Sequence, residues 1–118
     1  MIKPEAFLKG VLNAEISFIT GVPDSLLKDI CGYISDNSEK ISHKIATNEG
    51  SAIAMAIGNY LATKNVPLIY MQNSGLGNII NPITSLADPQ VYGIPMILMI
   101  GWRGEIDIDG NQLKDEPQ

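Results

Sequence analysis

Short apolar segments alternate along this chain with longer segments of helical spacing, and each apolar segment ends at glycine or at polar residues. The apolar segments are continuous rather than alternating, which is typical of strands in a parallel sheet that is covered on both faces. We therefore predict an α/β fold with a doubly wound parallel sheet. Strands are expected at 16–20, 41–48, 67–72 and 95–100, and helices at 4–14, 24–34, 49–64 and 78–87, with Asp24 and Ser25 as caps of the second helix.

Composition excludes several classes of function. A length of 118 residues corresponds to one domain or part of one, and the net charge of −5 argues against a nucleic-acid partner. No apolar run reaches the roughly 18 residues of a membrane-spanning helix, so no membrane partner is expected. One cysteine, Cys31, allows no internal disulfide and is typical of a cytoplasmic protein. One cysteine and one histidine, His43, cannot build a structural metal site, and we expect a buried thiol and a strand histidine.

Glu49 stands where an expected strand meets an expected helix, in the sequence Thr47-Asn48-Glu49-Gly50. Two interpretations are open for its carboxylate. Acidic residues in the first turn of a helix often complement the helix dipole and cap free N–H groups. Alternatively, a carboxylate at the carboxyl end of a parallel strand lies where α/β sheets place their ligands.

Two further segments bear on the completeness of the domain. The helix expected at 49–64 is rich in Ala and Gly and apolar nearly all round, so we expect a partner subunit or a second domain to cover its outer face. The tail at 103–118 is polar and acidic and completes no expected element. A domain that is incomplete at its C-terminus is therefore expected.

Four loops follow the four expected strands, at 21–25, 47–50, 73–78 and 101–105. In a parallel sheet all four project from the same edge. Gly75-x-Gly77 is neither a dinucleotide-binding fingerprint nor a phosphate-binding loop, because it lacks a third glycine and a following Lys-Ser/Thr. Taken together, the loops place a carboxylate, hydroxyls, amides and an arginine along one edge.

The motifs in these loops resemble those of a known family. They read Gly-Val-Pro-Asp-Ser-Leu-Leu, Thr-Asn-Glu-Gly, Asn-Ser-Gly-Leu-Gly-Asn and Gly-Trp-Arg-Gly-Glu, beginning at residues 21, 47, 73 and 101. In this order they resemble the pyrimidine-binding (Pyr) domain of thiamine-diphosphate-dependent 2-oxo acid decarboxylases, a flavodoxin-like fold. Phosphonopyruvate decarboxylases are the most similar group, and alpha subunits of sulfopyruvate decarboxylases come next. The resemblance covers residues 1–118 and implies that the diphosphate-binding (PP) domain is absent.

The resemblance also implies roles for individual residues. Glu49 would hydrogen-bond the aminopyrimidine ring of thiamine diphosphate and promote its reactive tautomer, with Ile45, Ala46, Ala52 and Ile53 as apolar surroundings. Other residues matching family positions are Gly21, Pro23, Gly75 and Asn78 for the cofactor, and Ser25 and Arg103 for the substrate. Where some relatives have a catalytic histidine, this chain has Met71 and Gln72.

The implied reaction is decarboxylation of 3-phosphonopyruvate to phosphonoacetaldehyde and CO2. In the family, the PP domain binds Mg²⁺ through a Gly-Asp-Gly motif. The nearest match in this chain, Asp109-Gly110-Asn111, lacks the leading glycine and is not that motif. A homo-oligomer or a PP-domain partner is therefore expected to complete the site, and the isolated chain is expected to be inactive. Two alternatives stay open: a sulfopyruvate decarboxylase alpha subunit, and a non-catalytic flavodoxin-like interaction module in which Glu49 only caps a helix.

Overall fold

The computed structural model describes residues 2–111, whose core is a four-stranded parallel sheet. The strands are β1 (Phe18–Gly21), β2 (Ser42–Ile45), β3 (Leu68–Gln72) and β4 (Ile97–Gly101), and their order in the sheet is β2-β1-β3-β4. All three neighbouring pairs are parallel. The chain therefore winds outward first to one side of β1 and then to the other, which confirms the doubly wound topology.

The helix α1 (Pro4–Asn13) precedes β1, α2 (Lys28–Asp36) connects β1 to β2, and α3 (Glu49–Thr63) connects β2 to β3. A single 3-10 turn, Ser25–Leu27, precedes α2. The helix expected at 78–87 forms, but not as a regular α-helix. Instead, a 3-10 segment (Asn73–Ile79) continues into one α-turn (Ile80–Pro82) and a π-helical turn (Ile83–Ala87). Pro82 lacks the N–H that an uninterrupted α-helical ladder would require at that position.

Each face of the sheet carries its own apolar core. On one face α1 and α2 bury Leu8, Val11, Ile19, Cys31, Ile34 and Tyr70. On the other face α3 and the segment 73–87 bury Ala46, Ala52, Ile53, Ile69, Met71 and Ile79. Adjacent residues of β3 contribute to opposite cores because successive side chains of a strand point to opposite faces. The predicted cover on both faces is thus present over the central strands β1 and β3.

The outer strands are less covered than the central ones, including β4, whose sequence is continuously apolar. Ile97 and Leu98 of β4 are 44% and 36% exposed, and Ile45 of β2 is 63% exposed. Each of these strands has a neighbour on one side only within residues 2–111. Continuous apolar character therefore marks complete burial only where strands lie on both sides.

Gly21 is what allows β1 and β3 to pack as they do. It is buried at the end of β1 and pairs with Tyr70 of β3. A Cβ at Gly21 would overlap the backbone oxygen of Tyr70 and would lie 2.7 Å from its ring atoms Cγ and Cδ2. Because Gly21 has no side chain, the Tyr70 ring can lie over it, and the Tyr70 hydroxyl reaches Nε2 of His43 at 2.9 Å.

His43 is half-buried on β2, where its other ring nitrogen lies 3.2 Å from Oγ of Ser35. Burial lowers the pKa of His43 below its usual value of 6.5, because desolvation disfavours the charged ring. The same burial raises the pKa of Tyr70 to about 12, so the phenol stays neutral beside the imidazole. As expected from the sequence, His43 lies on a strand and Cys31 is buried.

Because the pKa of His43 is lower in the folded than in the unfolded chain, folding favours the neutral ring. Its contribution to the free energy of unfolding is therefore complete above pH 6.5 and should decline as the pH falls from there toward the folded-state pKa. Urea unfolding of the wild type between pH 8 and pH 5 should show this decline. Since the chain has a single histidine, a His43→Gln variant should lose that part of the pH dependence. An equal pH slope in both proteins would contradict the assignment.

Candidate functional site

All four loops that follow the strands lie at one edge of the sheet, as its parallel topology requires. The winding reverses direction between β1 and β3, and this switch point is where open α/β sheets bind ligands. The loops after β1 and β3 border it directly, and those after β2 and β4 lie to either side. No helix within residues 2–111 combines the length and apolarity needed to cross a bilayer.

Glu49 is the first residue of α3, yet Asn48 caps the helix. The side chain of Asn48 accepts a hydrogen bond from the backbone N–H of Ser51 at 2.8 Å. The Glu49 carboxylate is directed elsewhere: its Oε2 accepts from Nδ2 of Asn78 at 2.7 Å. Asn48, and not Glu49, therefore makes the side-chain capping bond of α3, although Glu49 in the first turn still lies where its charge complements the helix dipole.

Gly75 packs directly against this carboxylate. A Cβ at Gly75 would overlap Oε1 of Glu49 and would lie 2.6 Å from its Cδ. Gly50 is similarly close to the same loop, since a Cβ there would lie 3.1 Å from the backbone oxygen of Asn78. The glycine at 75 is thus required by the close approach of the Glu49 side chain, and it does not have a positive φ. The structure brings together Glu49, Gly75 and Asn78, three residues that the sequence separates.

The apolar surroundings expected for Glu49 are present in part. Ala46, Ala52 and Ile53 are buried in the core beneath it, with exposed fractions of 8%, 0% and 0%. Ile45 is not part of that wall, because it lies on the opposite face of β2, which also carries His43. Glu49 itself is half-buried.

Ser25 and Arg103 also meet at this edge, although 77 residues separate them in the sequence. Nη2 of Arg103 donates to Oγ of Ser25 at 2.6 Å. The backbone of Arg103 is held by Asn73, whose Nδ2 donates to the Arg103 oxygen at 3.0 Å and whose Oδ1 accepts from the Arg103 N–H at 3.2 Å. We call the pair of Ser25 and Arg103 the clamp. The loop that begins at Asn73 therefore touches the clamp at one end and Glu49 at the other.

Sequence reasoning missed the part of the site formed by Asp24 and Gln72. Asp24 was expected to cap a helix, but its side chain makes no capping bond and is only 7% exposed. Its Oδ1 accepts from Nε2 of Gln72 at 3.0 Å, and Oε1 of Gln72 accepts from Oγ of Ser74 at 2.5 Å. The sequence places Asp24 three residues after the end of β1 and Gln72 at the end of β3, and only the strand order brings the two together.

Gly21 and Pro23, which the resemblance assigns to cofactor binding, have different surroundings. Gly21 is buried beneath the Tyr70 ring, whereas Pro23 is exposed beside Ser25 on a groove of about 380 Å³. Cys31 also lines the groove, and burial, with a smaller effect of the Asp24 charge, raises its pKa to about 11. A thiol with this pKa is not a nucleophile at neutral pH.

Within residues 2–111 there is no cluster of three or more His, Cys, Asp or Glu side chains that could bind a metal ion. The segment Asp109-Gly110-Asn111 forms a turn around Asp107. Oδ1 of Asp107 accepts from the backbone N–H groups of Asn111 and Asp109 at 2.8 and 2.9 Å. These bonds hold the pKa of Asp107 below its usual value.

The residues around Glu49 fit an aminopyrimidine ring. A carboxyl group has about four lone-pair sites, and Asn78 uses one of those on Oε2. Because Gly75 has no side chain, the loop backbone can lie close to the carboxylate. A flat heterocycle that presents a ring nitrogen can therefore be bound by Glu49, with the amide of Asn78 fixing the direction of the carboxyl group.

Three comparisons bear on the family. A model of the thiamine pyrophosphate enzyme N-terminal TPP-binding domain matches residues 4–118. The chain is 40% identical over 102 residues to sulfopyruvate decarboxylase subunit alpha of Methanococcus maripaludis, covering 86% of this chain and 59% of that protein. It is 37% identical over 119 residues to phosphonopyruvate decarboxylase of Streptomyces hygroscopicus, covering 100% of this chain and 27% of the relative.

The fold is similar to that of benzoylformate decarboxylase from Polynucleobacter necessarius. The TM-score is 0.69 at 17% identity, over 86% of this chain and 18% of that structure. The chain thus spans between about a quarter and three fifths of the length of the two curated relatives described above. With the family model matching almost its whole length, the chain belongs to the thiamine pyrophosphate enzyme family and carries its N-terminal TPP-binding domain.

Proposed function

We propose that residues 1–118 form the Pyr half of a thiamine-diphosphate-dependent 2-oxo acid decarboxylase. The observation that carries the proposal is the Glu49 carboxylate, which is released from capping by Asn48 and oriented at the sheet edge by Asn78. Both curated relatives described above are 2-oxo acid decarboxylases by name. The alternative of a non-catalytic module gives no reason for the close packing of Gly75 on Glu49.

Thiamine diphosphate, when bound, supplies a carbon nucleophile and an electron sink for decarboxylation. The task of Glu49 is to hold a proton at its carboxyl group against the ring nitrogen of the aminopyrimidine. Asn78 orients that group by donating a hydrogen bond to Oε2. Gly75 has no side chain, so the carboxyl group can pack against the backbone of its loop. Ala52 and Ile53 exclude water from beneath it, which strengthens a hydrogen bond to the ring.

For the substrate, we propose 3-phosphonopyruvate, with the clamp of Ser25 and Arg103 binding an acidic group. A guanidinium offers paired N–H donors that suit a phosphonate or a sulfonate. The similarity to the Streptomyces phosphonopyruvate decarboxylase extends over 100% of the chain, whereas that to the sulfopyruvate decarboxylase subunit covers 86% of it. Sulfopyruvate is the second candidate, favoured by the slightly higher identity of 40%.

The proposed partner is a PP domain, which would bind the diphosphate group through Mg²⁺. Its docking surface would include the outer face of α3, where the small residues Ala54, Gly58 and Ala62 are exposed together with Leu61, which is 44% exposed. Whether this domain comes from a second copy or from a separate subunit, it would place Mg²⁺ and the cofactor opposite the loops of this chain.

Substrate profiling of the assembled enzyme tests the proposal. The chain is combined with its PP domain, thiamine diphosphate and Mg²⁺, and CO2 release is measured with 3-phosphonopyruvate, with sulfopyruvate and with benzoylformate. We expect the highest kcat/KM for 3-phosphonopyruvate and no turnover by the isolated chain. A preference for sulfopyruvate would shift the assignment to the second candidate, and no release from any of the three acids would overturn the decarboxylase proposal.

A further inference from the structure

Asp24 is a buried carboxylate at the point where three loops of the site converge. Its Oδ1 accepts from Gln72, while within residues 2–111 its Oδ2 is buried with no hydrogen-bond partner. Burial of a carboxylate oxygen without a partner costs free energy, so a native protein that contains one calls for a reason other than stability. The Asp24 side chain makes no capping bond to the turn that follows it, so capping does not supply such a reason.

The unpartnered oxygen lies against the last residue of β4. A Cβ at Gly101 would overlap Oδ2 of Asp24 and would lie 3.2 Å from its Cγ. Gln72, which donates to the other oxygen, is the last residue of β3, and Asp24 itself follows β1. The Asp24 side chain therefore contacts the carboxyl ends of β3 and β4, and Asp24 itself belongs to the loop after β1. Its size and hydrogen bonding affect the spacing of these three strand ends.

The clamp lies within two residues of each of these contacts. Ser25 directly follows Asp24, and Arg103 lies two residues after Gly101. Asn73, which holds the Arg103 backbone, directly follows Gln72. A shift of the Asp24 carboxylate would therefore move the hydroxyl and the guanidinium of the clamp relative to each other.

We propose that Asp24 is a positioning residue. By contacting Gln72 and Gly101 it keeps Ser25 and Arg103 at the separation that an acidic group of the 2-oxo acid requires. The identity of that ligand rests on the proposed function, but the positioning is a property of this chain. Asp24 itself does not touch the substrate, since its Oδ2 is shielded by Gly101 and its Oδ1 is bonded to Gln72.

Two variants test the contact from its two sides. Asp24→Asn keeps the size of the side chain but replaces one acceptor with a donor, and Gly101→Ala adds the Cβ that would displace Oδ2. The matched controls are Asp29→Asn, an exposed acid on α2 with the same change of charge, and Gly10→Ala, where an added Cβ meets nothing within 4 Å. The backbone amide resonances of Ser25 and Arg103 are recorded in the ¹⁵N-labelled chain, and KM and kcat for 3-phosphonopyruvate are measured in the assembled enzyme.

We expect Asp24→Asn to shift the amide resonance of Arg103 and Gly101→Ala to shift that of Ser25, each far in sequence from the substituted residue, and we expect neither control to shift them. KM should rise about tenfold while kcat changes less than twofold, because the clamp binds the substrate and does not take part in the chemical step. An unshifted Arg103 amide resonance in folded Asp24→Asn would overturn the proposal, as would a fall in kcat at constant KM. If Gly101→Ala does not fold, Asp24→Asn decides alone. If the wild-type enzyme decarboxylates neither 3-phosphonopyruvate nor sulfopyruvate, the proposed function fails. The amide resonances still show whether Asp24 positions Ser25 and Arg103.

Discussion

Replacing Glu49 with Gln is expected to lower kcat of the assembled enzyme by about 10²- to 10⁴-fold, the usual range for loss of a group that transfers protons. Glutamine has nearly the same shape and can still accept the hydrogen bond from Asn78. It cannot hold a proton for the aminopyrimidine ring. The free energy of unfolding should change by less than about 0.5 kcal/mol, since Asn48 rather than Glu49 caps α3.

The measurements are steady-state decarboxylation and urea unfolding on the same preparations. Glu39→Gln is the matched control, because Glu39 is exposed and lies away from the loops of the site. Full activity in Glu49→Gln, with the control also active, would overturn the proposed role of Glu49 in holding a proton for the aminopyrimidine ring. A large loss of stability would instead mean that the carboxylate serves the fold.

Replacing Gly21 with Ala is expected to produce the largest loss of stability of any change considered, about 3 kcal/mol. The added Cβ would overlap the backbone oxygen of Tyr70, and a strand in the middle of a sheet cannot move aside as a flexible side chain can. A domain of this size has about 5–15 kcal/mol of stability in total, so the loss should be plain in the urea midpoint.

Gly32→Ala provides the control for this change. Gly32 lies in α2, and a Cβ there would meet nothing within 4 Å, so Ala should leave stability unchanged or raise it by about 0.5–1 kcal/mol. The Gly21 variant should also weaken the hydrogen bond between Tyr70 and His43, which a shift of the His43 ring resonances would report. An unchanged urea midpoint would show that β1 and β3 can move apart to accommodate the added Cβ with little loss of stability.

The fold class followed from the sequence because its signals are local. Strands and helices alternate with clear glycine and proline boundaries, and continuous apolar strands are typical of parallel sheets. The irregular geometry of 73–87 did not follow. An isolated Pro82 and two glycines mark a disturbed helix, but the choice among 3-10, α and π turns depends on how the segment packs on α3.

The members of the candidate site could be named from their motifs, and their arrangement could not. A carboxylate at the start of a helix can either cap the helix or bind a ligand. In the structure Asn48 accepts the capping hydrogen bond from the N–H of Ser51, so Glu49 does not make that bond. Asp24 shows the reverse case. Its sequence position suggests a cap, while the neighbouring strands enclose it and turn it toward Gln72.

Alternation of apolar strands and helices, and the family motifs in four loops, were sufficient to determine the parallel sheet, the edge that carries the site and the family. Only the tertiary structure shows that Gly75 packs against Glu49, that Arg103 donates a hydrogen bond to Ser25 and that Gly101 packs against Asp24. The physical reason is that strand formation depends on neighbours in sequence. By contrast, a contact between loops depends on strand order and register, and these arise only when the whole sheet assembles.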